Sequence, residues 1–302
     1  MTDIIIVGGG PAGITAAIYA ARAGKKVMVI EKDSCGGQIV YSPLVENYPG
    51  MPGMSGAEFA DNLTVQAENL GVEIEYGEVE SVTKCGDGFE VDFGDTVAAK
   101  AIILAPGASH RHLGLENEEE LTGCGVSYCA VCDGAFYAGM DVAVNGGGNT
   151  ALQDALFLSN TCSHVTVIHR RDEFRGDPVL VRQLEKRENV SFLLSSTVNG
   201  LVAEEDELAG IVTEDLKTGI EHQIPVKGLF IAIGQIPQTE AFRGLVETDG
   251  AGYIKAGENC ETNVSGIFAA GDCRTKEVRQ LTTAAADGAV AALAACKYLT
   301  EM

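Results

Sequence analysis

The sequence contains one strand–turn–helix–strand unit twice, and this repeat limits the possible folds more than any other feature. The first copy has a short apolar run at 4–7, a glycine-rich turn at 8–13, a stretch with apolar residues at helical spacing, and a second apolar run at 26–30. The second copy begins at Asp141 and has its glycine-rich turn at 146–151. This glycine spacing between a strand and a helix is typical of dinucleotide-binding units. The repeat therefore predicts two α/β nucleotide-binding units.

The turns are predicted to present backbone amides to a ligand. Glycine lets the backbone approach a pyrophosphate closely, and the N-terminus of the following helix favours an anion. The residues that we expect to bind cofactor phosphates are Gly8, Gly10, Pro11, Ala12 and Gly13 in the first copy, and Gly146, Gly148, Asn149, Thr150 and Ala151 in the second.

The two copies differ in charge at one matched position. Gly146 stands 138 residues after Gly8, and the same offset leads from Glu31 to His169. A carboxylate at this point accepts a hydrogen bond from a ribose 2′-hydroxyl and would repel a 2′-phosphate, whereas guanidinium groups bind phosphate. His169 is accompanied by three cationic residues, Arg170, Arg171 and Arg175. The first copy is therefore predicted to bind FAD or NAD, and the second NADP.

The remaining strand and helix signals indicate how the two units are joined. Apolar runs at 101–105 and 229–233 would each complete one sheet, and a long alanine-rich helix is predicted at about 282–299. Because that helix follows the second unit, we expect it to return to the first domain. The predicted fold is α/β, with two Rossmann-like three-layer domains, the second inserted into the first. The predicted boundaries are 1–114 with 244–302 for FAD, and 115–243 for NADPH and the cysteine pair described below.

Composition excludes several classes of protein. The 302 residues are 46% hydrophobic, which is typical of a globular chain. The net charge of −22 argues against a nucleic-acid partner, since phosphate backbones attract basic surfaces. No apolar run approaches the length of a membrane helix, and no basic, apolar leader is present. We therefore expect a cytoplasmic protein, in which nine cysteines do not form a disulfide scaffold.

Two cysteines between the glycine turns have a spacing suited to reversible chemistry. Cys129 and Cys132 are separated by two residues, and Asp133 follows directly. Cysteines at this spacing can close a small disulfide ring that opens again by thiol–disulfide exchange. Asp133 could move a proton to or from a thiolate. The pair is therefore predicted to be redox-active, although two buried thiols beside a turn would have the same spacing.

A metal centre is the alternative for these cysteines. Cys124, Cys129 and Cys132 match a plant-type iron–sulfur spacing, with Cys162 as a fourth ligand, and together with a histidine they could bind zinc. The surrounding sequence connects two nucleotide units and is not a ferredoxin domain, and no second spaced pair supports zinc. We therefore expect no metal.

Taken together, the motifs resemble those of bacterial-type, low-molecular-weight thioredoxin reductases over essentially the whole chain. The matching segments are Gly8–Gly13, Gly36–Gln38, Glu46–Gly50, Cys129–Gly134, Gly146–Ala151, His169–Arg175, Gly271-Asp272 and Arg279-Gln280. The resemblance implies a homodimer that passes electrons from NADPH through FAD and a Cys129–Cys132 disulfide to thioredoxin or a thioredoxin-like protein.

The resemblance also implies roles for individual residues. Cys132 would face the flavin, Cys129 would attack the partner's disulfide, and Asp133 would be the acid that serves them. The residues assigned to FAD are Glu31, Gln38, Asn47, Asp272 and Gln280, and the motif residues Gly37, Gly271 and Arg279 complete the predicted cofactor-binding set.

The sequence departs from the family pattern at three places. Pro106 replaces a threonine and removes a backbone donor, Gln153-Asp154 replaces a pair of glutamates, and Val131 within the cysteine pair is a mild change from threonine. Two other functions stay open at this point. One is an NADPH oxidase or ferredoxin reductase with an idle cysteine pair, and the other is a redox-sensing nucleotide-binding protein.

Overall fold

The chain, described by a computed structural model over residues 2–51 and 53–302, divides into two compact units. The first unit comprises the described residues up to Ser109 together with Ile236–Met302, and the second unit comprises His110–Gln235. The chain crosses between them a few residues before the predicted boundaries. Which cofactor each unit binds stays a prediction.

The first unit begins with the predicted strand–turn–helix–strand order. Its elements before the first crossing, and the strand at that crossing, are β1 (Thr2–Val7), α1 (Pro11–Arg22), β2 (Val27–Glu31), α2 (Gly56–Glu68), β3 (Glu73–Tyr76), β4 (Ser81–Cys85), β5 (Gly88–Asp92), β6 (Thr96–Leu104) and β7 (Ala108–His110).

The second unit repeats this order. Its elements, and the strand at the return crossing, are β8 (Val126–Ser127), α3 (Ala130–Asp133), β9 (Asp141–Asn145), α4 (Asn149–Leu158), β10 (His164–His169), α5 (Pro178–Leu184), β11 (Val190–Leu194), β12 (Ser196–Glu204), β13 (Glu207–Asp215), β14 (Glu221–Ile224), β15 (Gly228–Ile231) and β16 (Gln235–Pro237).

The chain then returns to the first unit and adds β17 (Ile267–Ala269) and α6 (Leu281–Glu301). The first sheet has the strand order β3-β2-β1-β6-β5-β4, with β17 paired to β6. The main sheet of the second unit has the order β11-β10-β9-β15-β8, beside a three-stranded antiparallel sheet of β12, β13 and β14. Strands β7 and β16 pair with each other where the chain crosses.

The two main sheets share a register as well as an order. In the first unit Val7 of β1 lies opposite Ile30 of β2, and in the second Asn145 of β9 lies opposite Ile168 of β10. Both members of the second pair stand 138 residues after their counterparts. The predicted repeat and the predicted α/β class are therefore confirmed, and the carboxyl ends of the two central strands hold their glycine turns at equivalent points.

Helices α1 and α4 begin earlier than the sequence predicts. The sequence predicts glycine-rich turns at 8–13 and 146–151 with the helices after them, whereas the helices start at Pro11 and Asn149, inside those turns. Proline is favoured at a first helical position because it lacks only an amide that has no intrahelical partner there. The amides of the turn therefore belong to the first helical turn.

Small residues let α6 pack closely on α1. A Cβ atom on Gly288 of α6 would lie 2.1 Å from the carbonyl oxygen of Ala12 in α1. Alanines on both helices are fully buried at this contact, among them Ala16, Ala291 and Ala292. The predicted alanine-rich helix, α6, therefore packs on α1, the helix that follows the first glycine turn.

Within the described residues, no helix combines the length and the apolar character that a membrane span requires.

We expect Gly288→Ala to lower the free energy of unfolding by about 1–3 kcal/mol, because the added methyl group meets backbone that cannot move aside. Chemical denaturation measures the change. The control is Gly250→Ala, at a site with no heavy atom within 4 Å of the new Cβ atom, which should change stability by less than about 0.5 kcal/mol. Equal effects of the two variants would contradict this packing.

Candidate functional site

The first glycine turn is shaped by close backbone contacts. Gly8 has a positive φ of 104°, and a Cβ atom there would lie 2.3 Å from the carbonyl oxygen of Ala105. A Cβ atom on Gly13 would lie 1.9 Å from the carbonyl oxygen of Gly8. Gly10, in contrast, has open space around its Cβ position, and no side chain caps the helix that it begins. The turn thus leaves backbone amides available to an anion such as a pyrophosphate.

Glu31 ends β2 directly beside this turn and is 7% exposed. One carboxylate oxygen accepts the backbone amide of Gly9 at 2.5 Å, and the other accepts the amide of Asp33 at 3.0 Å. These two bonds fix the carboxylate at the edge of the turn. It is therefore well placed to accept a hydrogen bond from a ribose hydroxyl of a dinucleotide bound there.

Asp272 lies at the carboxyl end of β17 and has an unsatisfied acceptor. Its Oδ1 atom is buried and has no hydrogen-bond partner among the described residues. Burial raises the pKa of this carboxyl group, and Lys276 and Arg279 oppose that rise. A buried acceptor without a partner is rare in native proteins. It fits a hydroxyl donor of a bound flavin nucleotide, which supports FAD as the occupant of this unit.

Other residues predicted to bind FAD gather on the same unit. The Nδ2 atom of Asn47 donates to Oε1 of Gln280 at 3.4 Å, although 233 residues separate them. Gly37 lies beside the first turn, since a Cβ atom on it would be 3.4 Å from Cα of Gly10. Gln38 is exposed. The fold thus brings together segments that the sequence could only list separately.

Arg279 and Gly271 position the turn that carries Asp272. The guanidinium of Arg279 lies 4.1 Å from the ring centre of Tyr253 and donates to the carbonyl oxygen of Asp272 at 3.3 Å. A Cβ atom on Gly271 would meet Cβ of Ala12 at 2.8 Å, so this turn packs against α1. Arg279 thus lies next to Asp272, and its role in cofactor binding stays a prediction.

The second glycine turn reproduces the first. A Cβ atom on Gly146 would lie 2.4 Å from the carbonyl oxygen of Ala232, which follows β15 as Ala105 follows β6. Gly148 has open space, and no side chain caps α4. Of the other predicted residues, Thr150 is exposed, Ala151 is buried, and Asn149 accepts the backbone amide of Asp177.

His169 occupies the place in the second unit that Glu31 occupies in the first. It ends β10, is 4% exposed, and stacks on Phe174 with ring centres 5.5 Å apart. A Cβ atom on Gly147 would lie 2.3 Å from the imidazole ring. Burial lowers the pKa of His169, and the positive charge of Arg175 lowers it further. Its Nε2 atom is buried without a partner among the described residues, so a ligand in this turn would find an unsatisfied ring nitrogen.

Three exposed arginines follow His169 in the sequence. Arg170, Arg171 and Arg175 make no ion pair among the described residues. The nearby Asp172 pairs with Lys217 at 3.1 Å instead. Guanidinium groups that are not neutralised locally attract an anion, and a 2′-phosphate fits this charge. The arrangement therefore supports NADPH on the second unit.

Cys129 and Cys132 form a disulfide in the second unit. Cys132 is exposed and Cys129 is half-buried. The backbone amide of Cys132 donates to Sγ of Cys129 at 3.2 Å, a contact that would stabilise negative charge on this sulfur after reduction. The two sulfurs thus differ in access and in hydrogen bonding.

Asp133 is held by a residue that the sequence analysis did not identify. The hydroxyl of Ser127 donates to Oδ2 of Asp133 at 2.6 Å and accepts the backbone amide of Cys129 at 3.1 Å. Burial raises the pKa of Asp133, and the bond from Ser127 opposes the rise. No spacing rule identifies such a serine, because its role depends on how the segment folds back on itself.

The other cysteines are placed unlike metal ligands. Cys124 is exposed, and Cys162 is buried among the apolar residues of the second unit. Among the side chains that the structure describes, no group of three histidine, cysteine or acidic residues is arranged to hold a metal ion. Cys129 and Cys132 are instead bonded to each other.

Comparisons with known proteins agree with this geometry. Residues 2–288 match the family described as pyridine nucleotide-disulphide oxidoreductase. A thioredoxin reductase of Listeria monocytogenes is 43% identical over 301 residues, which cover 99% of this chain and 94% of the relative. A thioredoxin reductase of Bacillus subtilis is 40% identical over 301 residues, covering 99% and 95%.

Solved structures of the same kind superpose on this chain. The thioredoxin reductase from Streptococcus pyogenes gives a TM-score of 0.95 at 40% identity, covering 100% of this chain and 99% of the other. The thioredoxin reductase from Giardia duodenalis gives 0.93 at 34% identity, covering 99% of each chain.

One departure from the family pattern generates a pH-dependent prediction. Burial raises the pKa of Asp154 to about 6 from its usual 3.8. The folded state then holds a proton that the unfolded state loses, so this carboxyl group destabilises the fold progressively as pH rises from about 4 to 6.

We expect Asp154→Asn to gain stability relative to the unsubstituted protein by about 1–3 kcal/mol more at pH 7 than at pH 4. Urea denaturation at the two pH values, with cofactor concentrations held fixed, measures the difference. A gain that is the same at both pH values would contradict the raised pKa.

Proposed function

Because this chain belongs to the pyridine nucleotide-disulphide oxidoreductase family and, within it, to the bacterial-type thioredoxin reductases, we propose that it reduces thioredoxin through Cys129 and Cys132. It is an NADPH-dependent flavoprotein disulfide reductase with FAD and NADPH as its cofactors. The observation that carries the proposal is the Cys129–Cys132 disulfide. Asp133, a carboxyl group whose pKa is raised by burial, is linked to the amide of Cys129 through Ser127.

The two cofactors occupy separate units in this proposal. The first unit holds FAD through the turn that begins at Gly8, through Glu31 and through Asp272. The second holds NADPH through the turn that begins at Gly146 and through the arginines after His169. FAD, when bound, transfers an electron pair from NADPH to the disulfide.

The cysteines have different tasks. Reduction of the Cys129–Cys132 bond by two electrons, with uptake of protons, gives two thiols. Asp133 can hold one of these protons, since burial raises the pKa of its carboxyl group. Cys129 is the attacking sulfur, because the amide of Cys132 would stabilise a thiolate there. It opens the disulfide of thioredoxin and forms a mixed disulfide, which the thiol of Cys132 resolves as the Cys129–Cys132 bond closes again.

We also propose that the protein is a homodimer in the cytoplasm. The dimer follows from the family resemblance, and light scattering of the purified protein distinguishes one chain from two. The compartment is proposed because seven of the cysteines are free thiols, which suits a reducing environment.

The first test asks whether thioredoxin reduction requires both cysteines. We expect Cys129→Ser and Cys132→Ser each to abolish thioredoxin reduction while NADPH still bleaches the flavin under anaerobic conditions. Cys124→Ser is the matched control, because Cys124 is an exposed cysteine of the same unit outside the disulfide. Its turnover should equal that of the unsubstituted protein.

A probe thioredoxin with a single activated cysteine then assigns the attacking sulfur. Its thionitrobenzoate mixed disulfide should react with the Cys132→Ser variant, releasing the coloured thiol, and should react far more slowly with Cys129→Ser. The reverse order would refute the assignment. Thioredoxin reduction that survives in both serine variants would refute the function and leave an oxidase or a ferredoxin reductase, which assays with oxygen and ferredoxin identify.

The second test concerns the preference for NADPH over NADH. Replacing Arg170 and Arg171 with glutamine should raise KM for NADPH by about tenfold or more, since each change removes a charge-assisted bond to phosphate. KM for NADH should stay within about twofold, because NADH lacks that phosphate. The control is Arg187→Gln, an exposed arginine elsewhere on this unit. Equal losses for both nucleotides would contradict 2′-phosphate recognition.

A further inference from the structure

A cluster of buried charges lies beside the turn that carries Asp272. It consists of Arg274, Lys276 and Asp287, whose side chains are 10%, 8% and 10% exposed. Charged side chains are rarely buried to this extent, and they require partners when they are. None of these three residues belongs to the glycine turns or to the cysteine pair, so the function described above leaves them unexplained.

Asp287 connects α6 to the turn. Its carboxylate accepts Nε of Arg274 at 2.8 Å and Nη2 at 2.6 Å, and it also accepts Nζ of Lys276 at 2.9 Å. In addition, it accepts the backbone amide of Gly271 at 3.0 Å. A single helical side chain therefore fixes the backbone on one side of Asp272 and, through Arg274, the segment on the other side.

Lys276 lies between the two carboxylates of this region. Its ammonium nitrogen is 2.9 Å from Oδ2 of Asp287 and 3.9 Å from Oδ1 of Asp272. Although Asp272 Oδ1 is close enough for an ion pair, it has no hydrogen bond within the described part of the chain. Lys276 thus forms its hydrogen bond with Asp287 and not with Asp272. The Oδ1 atom of Asp272 can therefore accept a hydrogen bond from another donor.

We propose that Asp287 is a positioning residue for FAD that acts through Asp272. Asp287 holds the turn through the amide of Gly271 and the side chain of Arg274. It also binds the ammonium group of Lys276, so that Lys276 does not form a hydrogen bond with Asp272. The free acceptor of Asp272 is then available to a hydroxyl of FAD. This inference rests on the contact between Asp272 and FAD in the proposed function.

A double-mutant cycle tests the route of this effect. The dissociation constant for FAD is obtained from the fluorescence of flavin released when holoenzyme is serially diluted, for the unsubstituted protein, Asp287→Asn, Asp272→Asn and the double variant. We expect Asp287→Asn to weaken FAD binding by about tenfold. In the Asp272→Asn background the same change should weaken it by less than about twofold, because the residue acts through Asp272.

The cycle distinguishes failure of the inference from failure of its premise. If Asp272→Asn leaves the dissociation constant unchanged, the proposed contact with FAD is wrong and the inference falls with it. If Asp272→Asn weakens FAD binding but the effects of the two substitutions are additive, the contact between Asp272 and FAD is supported and the inference about Asp287 is overturned. An Asp287→Asn variant with a lower thermal midpoint and an unchanged dissociation constant would also overturn it, since that pattern indicates a structural role alone.

Two further variants keep the test decisive. Asp3→Asn is the matched control, because Asp3 likewise accepts a lysine ammonium, that of Lys100 at 2.8 Å, and a backbone amide, that of Lys26 at 3.0 Å, at the start of β1. It should leave FAD binding unchanged. Should Asp287→Asn fail to fold, Lys276→Met replaces it. Lys276→Met leaves the bonds of Asp287 to Arg274 and to the amide of Gly271 in place. It removes the only lysine, among the described residues, that could bond to Asp272, so it should weaken FAD binding by less than about twofold. A loss of about tenfold or more would show that Asp272 needs Lys276 for FAD binding and would overturn the inference.

Discussion

The contact between a glycine and the carbonyl group just after a neighbouring strand fixes the geometry of each glycine turn. Gly8 lies against Ala105 and Gly146 lies against Ala232, each so closely that no side chain would fit. This contact sets the path of the backbone from the central strand into the helix. The positions of the open glycine, the uncapped helix start and the residue that ends the next strand all depend on it.

A shared frame with different charges explains how one repeat serves two cofactors. At the matched position the first unit has Glu31, held by the amide of Gly9, and the second has His169, packed on Gly147. The backbone arrangement is the same, and in the proposed function the carboxylate binds a ribose hydroxyl of FAD, whereas the arginines that follow His169 bind the 2′-phosphate of NADPH. The second unit also carries the Cys129–Cys132 disulfide, so in the proposed function the electron donor and the thiols share one unit and the flavin is bound to the other.

Much of this arrangement could be predicted from the sequence, because its signals are local. Glycine spacing, apolar runs and the two-residue gap between Cys129 and Cys132 each depend on neighbouring residues only. The partners of the site could not be predicted in this way. Ser127 reaches Asp133 because its segment folds back, and Asp287 reaches Gly271 because α6 packs beside the turn. Such pairs have no periodic pattern, and buried charges in particular run against composition rules.

In the proposed function, electrons from NADPH pass through the flavin to Cys129 and Cys132. Anaerobic titration of the purified holoenzyme with NADPH, followed by alkylation and mass spectrometry of the cysteines, tests it most directly. We expect both cysteines, protected from alkylation at the start, to become labelled as NADPH is added. A flavin that bleaches fully while Cys129 and Cys132 stay unlabelled would show that electrons do not reach this cysteine pair.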